Sequence, residues 1–402
     1  MRRPPPVPLK GKSTMCRIAH LTSAHPRHDT RIFVKQCRSL AAHGHEVTLV
    51  VADDRGDELT DGVRIVDVGR LAGRLNRVLR TTRRVLDAAL ALDAEVYQLH
   101  DPELIPAGLV LKRMGKTVVF DAHEDVPAQL LGKPYLGRLS GQMLSRSFGA
   151  YERFACSRFD GIIAATPFIR DKFLRINQRT VDVNNYPLPA EFDAAALWAD
   201  KRPEVCYVGS IAAIRGIREL VRACDLLHSP ARLALAGQFS EPALEAEVAA
   251  YPGWQRVDRH GHLDRAGVRA AMARAVAGLV TQHPVVNYLD ALPVKMFEYM
   301  AAGIPVIASN IPLWRGIVEG SGCGVCVDPA DPAAIAAAID HLVLHPELAM
   351  RMGENGRRAV LDKYNWLAES VKLIAFYDHL SRPPRTAPEP GGRASLARNN
   401  AI

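Results

Sequence analysis

Three segments of the chain carry residue types that could do chemistry together. In DALPVKMFEYMAAGIPVIAS, residues 290–309, Asp290 and Glu298 stand eight apart with Lys295 between them. A helix starting near Pro293 suits proline in a first turn. Lys295 then lies in that turn, where free N–H groups and the positive dipole end favour an anion. Glu298 follows about one turn in, placed to accept bonds from a pair of sugar hydroxyls. An amphipathic helix with solvated Lys and Glu has the same spacing, so both readings stay open.

The second segment is VCYVGSIAAIRGIREL, residues 205–220. A strand ending at Val208 runs into Gly209, which permits close backbone approach. Gly209, Ser210 and the next helix start could hold a diphosphate, with Arg215 neutralising its charge. A tight strand-to-helix turn with a surface arginine reads the same way. The chain has no G-x-G-x-x-G at a strand end and no G-x-x-x-x-G-K-[ST]. Both absences count against a nicotinamide dehydrogenase and a P-loop NTPase.

The third set is polar. LHDPEL puts His100, Asp101 and Glu103 after one strand, and FDAHED puts Asp121, His123, Glu124 and Asp125 after another. Sites in open α/β sheets collect at such strand ends. These potential ligands are nearly adjacent in sequence, a poor arrangement for converging on one metal ion, so no metal is expected. SAHPRHDTRIF, residues 23–33, offers Arg27, Thr30 and Arg31 at the start of a helix, a ready anion or hydroxyl site.

The elements that must position these residues are short β-rich runs alternating with helix-period segments. CRIAHLT, EVTLVVAD, VRIVDVG, EVYQLH, TVVFDAHE and DGIIAAT read as strands, and RIFVKQCRSLAAHG and PELIPAGLVLKRMG as helices. Continuous apolar strands between helices predict a parallel sheet covered on both faces. The alternation breaks in the Asn/Pro-rich stretch after residue 183 and restarts at EVCYVGS. The expectation is α/β: two doubly wound Rossmann-like domains facing across a cleft. We divide the chain into a flexible leader (1–14), an N-terminal domain (15–186), a linker (187–203) and a C-terminal domain (204–362). A C-terminal helix (363–381), a candidate to pack back on the first domain, and a disordered tail (382–402) follow. Met15 is an alternative start.

Composition narrows the class. The 402 residues are 48% hydrophobic and 23% charged, and no uncharged apolar stretch reaches membrane-spanning length. The N-terminus is basic but lacks an apolar core, unlike a secretory signal. Seven scattered cysteines read as reduced core residues of a cytoplasmic protein. Cys323 and Cys326 form a C-x-x-C with no second pair to complete a zinc site. A net charge of +8 favours anionic partners.

Taken together, HPRxDTRIF, DAHEDVP, YVGxIxxIRGI and NYLDxLPxKMFEYMAAG resemble family-4 glycosyltransferases of the GT-B fold, from about Cys16 to Tyr377. The resemblance is closest to bacterial members that build surface polysaccharide or lipopolysaccharide. It implies a nucleotide-sugar, a UDP-sugar by family habit, held by the C-terminal domain. The acceptor, a glycan or polyprenyl-diphosphate-linked glycan, would lie mostly against the N-terminal domain. Transfer would be retaining and would need no cofactor or metal. The resemblance implies donor-binding roles for Gly209, Ser210, Arg215, Asp290, Lys295 and Glu298. It implies catalytic roles for His123, Arg215 and Glu298, and an acceptor-side role for Thr30, Arg31 and Glu124. The family's two-glutamate motif falls on Asp290 and Glu298. Its Arg/Lys diphosphate pair falls on Ser210 and Arg215, so Lys295 is a candidate for the missing charge.

Residues 70–86, RLAGRLNRVLRTTRRVL, form a basic amphipathic pattern that fits an anionic membrane surface or an ordinary surface helix. The localisation expected is cytoplasmic, peripheral on the inner membrane face. Two alternatives remain: a GT-B sugar-nucleotide epimerase or hydrolase, and a non-catalytic nucleotide-sugar-binding protein. Nucleic acid is disfavoured, since aromatics are 6% of the chain and form no basic stripe.

Overall fold

A computed structural model describes residues 15–131, 137–192 and 198–380, without the side chains of Arg74, Arg138 and Ala199. The expected leader 1–14, the tail 382–402 and part of the linker 187–203 lie outside the described residues.

The first sheet has eight strands in the order β3-β4-β2-β1-β5-β6-β7-β8. These are β1 Arg17–Leu21, β2 Glu46–Val51, β3 Glu58–Thr60, β4 Val63–Asp67, β5 Val96–Leu99, β6 Thr117–Ala122, β7 Gly161–Ala164 and β8 Thr180–Asp182. The second sheet has six, in the order β11-β10-β9-β12-β13-β14. Its strands are β9 Glu204–Val208, β10 Arg232–Ala236, β11 Val257–Gly261, β12 Ala277–Val280, β13 Val306–Ser309 and β14 Gly324–Val327. β1, β2, β5, β10, β12 and β13 are almost wholly buried, as their unbroken apolar runs demand.

Each sheet packs helices on both faces. One face of the first sheet buries Leu86, Leu111, Phe159 and Phe173, and the other buries Phe33, Leu40, Trp366 and Tyr377. The last two come from the terminal helix Trp366–Leu380, which returns from the second half of the chain to cover the first sheet. Trp366 Nε1 donates to Ser39 Oγ at 2.9 Å, and Glu369 Oε2 accepts from Asn184 N at 2.8 Å. A second bridge is made by the helix Val126–Leu131, which touches the helix Val286–Leu289.

Three details differ from the sequence reading. β3 pairs antiparallel with β4 at the sheet edge. Asp61 and Gly62 turn this hairpin with φ of 51° and 77°, the left-handed pair a two-residue hairpin requires. β8 lies just before the Asn/Pro-rich stretch. Finally, the first helix opens with π-helical turns, Thr30–Cys37, in which Val34 N donates to Asp29 O at 3.1 Å. Asp29 Oδ1 caps this segment by accepting from Arg31 N and Ile32 N. Arg31, Lys35 and Gln36 are all buried there. No disulfide joins the cysteines, and burial pushes the Cys323 and Cys326 thiols up to about 12. Among the described residues, no single helix is long and apolar enough to cross a membrane.

Candidate active site

The second sheet presents cations at its strand carboxyl ends. β9 runs out into Gly209, whose φ of 120° suits glycine. Gly209 N–H is already committed to Ala236 O at 2.9 Å. What Gly209 supplies is therefore its backbone conformation; a Cβ there would make ordinary contact, 3.7 Å from Lys295 Nζ. Ser210 is exposed at the lip. Its carbonyl accepts from Tyr207 OH at 2.9 Å and from Arg215 Nη1 at 3.1 Å. Gly216 turns the chain into the helix Ile217–Asp225, and a Cβ on it would fall 2.1 Å from Thr281 O. Among the described residues, Arg215 has no carboxylate within ion-pair distance.

Lys295 comes from the helix Val294–Ala301, whose N-cap is Pro293. Its Nζ is buried 3.6 Å from the centre of the Tyr207 ring and has no hydrogen-bond partner. Burial, then Arg215, pushes this amine well below the usual lysine range. Glu298, one turn on, is buried, and its Oε1 accepts from Arg265 Nη1 at 2.6 Å. Arg265 also pairs with Glu191 from the stretch between the sheets. Asp290 is half-buried just after the helix Val286–Leu289. The structure thus brings Gly209, Arg215 and Lys295 together, with Glu298 a turn beyond.

Sequence reasoning missed Arg265, Glu191 and Tyr207. Arg265 follows the capping Asp264 of the helix Arg265–Arg274, and nothing local marks it. Its partners lie 33 and 74 residues away.

In the first domain, His123 follows β6 and its Nε2 donates to Asp121 Oδ2 at 3.0 Å, leaving Nδ1 for a ligand. Asp121 also accepts from Arg31, Gln36 and His100. Burial alone would raise its carboxyl, but Arg31, His123 and His100 hold it well below the usual range. His100 Nδ1–H on Asp121 makes His100 Nε2 the acceptor for His20 Nδ1–H at 2.9 Å. His100, Asp121 and His123 lie close enough to ligate one ion. His123 Nε2 and His100 Nδ1 both bond the Asp121 carboxylate, which Arg31 also pairs with. Beside them, His25 Nδ1 pairs with buried Asp101 at 2.9 Å, and its ring meets His123 edge-on, centres 5.2 Å apart. Burial opposes a charge on His25, but Asp101 outweighs it and raises the imidazole.

Arg31 requires a correction. It was expected on the acceptor side, but its guanidinium is buried, bidentate on Asp121, with Nη1 on Val183 O at 2.7 Å. It braces Asp121 and is not available to a ligand. Arg27 is likewise spent on Asp53 and Glu58. Thr30 stays half-buried at the helix start, and Glu124 is exposed and accepts from Gln129. The open space on this side is a groove of about 540 Å³ lined by His25, Asp53, Arg70 and Arg77.

Two family models match consecutive halves of the chain: a glycosyl transferase 4-like domain over residues 30–189 and glycosyl transferases group 1 over residues 190–359. The chain belongs to the family-4 glycosyltransferases of GT-B fold. It is a glycosyltransferase. A glycogen synthase of Mycobacterium tuberculosis is 25% identical, aligned over 88% of this chain and 91% of its own length. Sucrose-phosphate synthase of Thermosynechococcus elongatus superposes with a TM-score of 0.74 at 21% identity, over 91% of this chain and 99% of the other. HepE of Anabaena, in its complex with UDP-glucose, gives a TM-score of 0.69 at 12% identity, over 90% and 100%. In this glycosyltransferase Gly209, Arg215 and Lys295 gather beyond the end of β9 in the second sheet, and His123 stands at the end of β6 in the first.

Because Arg31 and Asp121 are a buried pair, removing one charge strands the other. Asp121→Ala should lower stability to urea by about 3–5 kcal/mol. A loss below about 1 kcal/mol would show that the carboxylate does not anchor this network.

Proposed function

We propose that the enzyme moves a sugar from a nucleoside-diphosphate sugar to a glycan or lipid-linked glycan with retention of anomeric configuration. The observation that carries this reading is the pairing, at the carboxyl end of β9, of Arg215, which among the described residues has no carboxylate within ion-pair distance, with the buried Lys295 Nζ, which has no hydrogen-bond partner. A diphosphate fits there. As the glycosidic bond lengthens, negative charge grows on the leaving diphosphate, and Arg215 and Lys295, both charged in the donor complex, stabilise it from positions already in place. Ser210, standing where the family has Arg, contributes no charge, so Lys295 takes over that work. Glu298 keeps Oε2 for ribose hydroxyls while Arg265 fixes Oε1. Asp290 contacts the donor sugar, and His123 Nδ1 approaches that sugar from the other wall.

No protein nucleophile is required. A diphosphate oxygen takes the proton of the acceptor hydroxyl on the face that the leaving group vacates, which retains configuration. With the positive charge supplied by side chains, the step needs no metal. UDP is the proposed nucleotide, in keeping with the UDP-glucose complex of the structural relative HepE. The acceptor enters along the groove beside His25, near Thr30 and Glu124. We place the reaction in the cytoplasm, with the enzyme peripheral on the inner membrane face. Support comes from residues 70–86, where Leu75 is 78% and Leu79 68% exposed among arginines. The proposed pathway is surface polysaccharide or lipopolysaccharide synthesis.

Glu298→Ala and Arg215→Ala should each cut kcat/KM at least about 100-fold with the fold intact. Near-wild-type turnover of both with the true donor would remove the donor site. Binding to vesicles containing anionic phospholipid should be weak and should fall as salt rises. Absent or salt-insensitive binding would make residues 70–86 ordinary surface.

A further inference from the structure

Around Lys295 the groups that oppose a charge outweigh those that favour one. Its Nζ is buried with no acceptor in reach. The Tyr207 ring face 3.6 Å away favours an ammonium, but by less than its burial costs. From the loop after β9, Arg215 opposes a second cation. On β9 itself stand Tyr207 and Cys206, whose thiol burial pushes up to about 12, so it stays neutral. On its own helix, Tyr299 is buried and neutral, with its hydroxyl on Val208 N at 3.0 Å. Tyr288, from the helix Val286–Leu289, faces Arg215. The remaining anion, Glu298, is already bonded to Arg265. A buried ammonium without an acceptor or an unspent carboxylate costs several kcal/mol, more than losing its proton.

We infer that Lys295 Nζ is an amine in the free enzyme and becomes an ammonium when the donor diphosphate enters, so that each donor bound draws one proton from solvent. The inference rests on the donor site proposed above and deepens it. The balance is simple: a buffer acid gives its proton to the Nζ lone pair, and no other bond changes. The diphosphate brings two negative charges against Nζ and Arg215, which reverses the preference between amine and ammonium. Arg215, a guanidinium, holds its charge throughout and contributes no proton. When the nucleoside diphosphate leaves, the proton leaves with it, so the site resets.

The sign follows from linkage. The free-enzyme value lies below the ordinary lysine range and the bound value above the free one. Donor affinity is then greatest below the free value. It falls as pH rises between the two, by up to about tenfold per pH unit, and levels off above the bound value.

The test is titration calorimetry of the full chain with UDP-glucose at a series of pH values from 7 to 9, each in HEPES and in Tris, whose ionisation enthalpies differ. The phosphates of a nucleotide-sugar carry no titratable proton in this range, so any uptake comes from the protein. The observed enthalpy should change with buffer, and the uptake should approach one proton per donor at the pH lying between the free and bound values. In Lys295→Met the buffer dependence should vanish and affinity should fall roughly tenfold or more. In Lys295→Arg, charged in both states, donor should bind without proton uptake. Equal heats in both buffers for the wild type, or the same uptake in Lys295→Met, would overturn the inference while leaving the donor site standing. No heat from UDP-glucose, GDP-mannose or ADP-glucose would overturn the donor-site reading, and this inference with it.

Discussion

A basic strand end with no internal anion to neutralise it is the constraint on which the rest depends. The strand ends of the second domain gather Arg215 and Lys295 and give neither a carboxylate. The fold builds this strand end because Gly209 and Gly216 turn the chain with positive φ and the helix Val294–Ala301 delivers Lys295 in its first turn. In the proposed donor complex an anion from outside would supply the missing charge, so that affinity for a diphosphate and stabilisation of its departure would have one origin.

The first domain solves the opposite problem. Asp121 is a fully buried carboxylate, and Arg31, Gln36, His100 and His123 all converge on it. It is satisfied within the protein and calls for no ligand. What it provides is orientation: His123 is pinned through Nε2, so its other nitrogen points with little freedom. The π-helical turns after β1 bury Arg31, Lys35 and Gln36 together, and this lets one short segment brace the carboxylate. Lys35 in turn donates to Asn185 and lies in the field of Glu298 and Glu191; burial brings its amine down to about 7. Arg265 links Glu298 to Glu191 from the other side. Donor-site chemistry and the connection between domains therefore share one set of charges.

The parts legible in the sequence were those set by local physics. Apolar runs fixed the strands, and the proline before Val294 placed Lys295 and Glu298 on a helix start. Arg31 was misread because its partner Asp121 lies 90 residues away, and no local pattern separates an arginine aimed at solvent from one folded inward. Arg265 was invisible for the same reason. The Asp61–Gly62 hairpin was legible and went unread, since an Asp-Gly pair between short strands is a turn signal. The π-helical turns gave no such warning, because a run of residues 31–44 with helical period does not reveal how its hydrogen bonds are spaced.

The most direct measurement of the central claim is a crystal structure of the full chain with a bound nucleotide-sugar. The account predicts diphosphate oxygens within hydrogen-bond reach of both Lys295 Nζ and the Arg215 guanidinium, with the ribose on Glu298. A diphosphate seated elsewhere, with Lys295 still against the Tyr207 ring and Arg215 still on the Ser210 carbonyl, would contradict it.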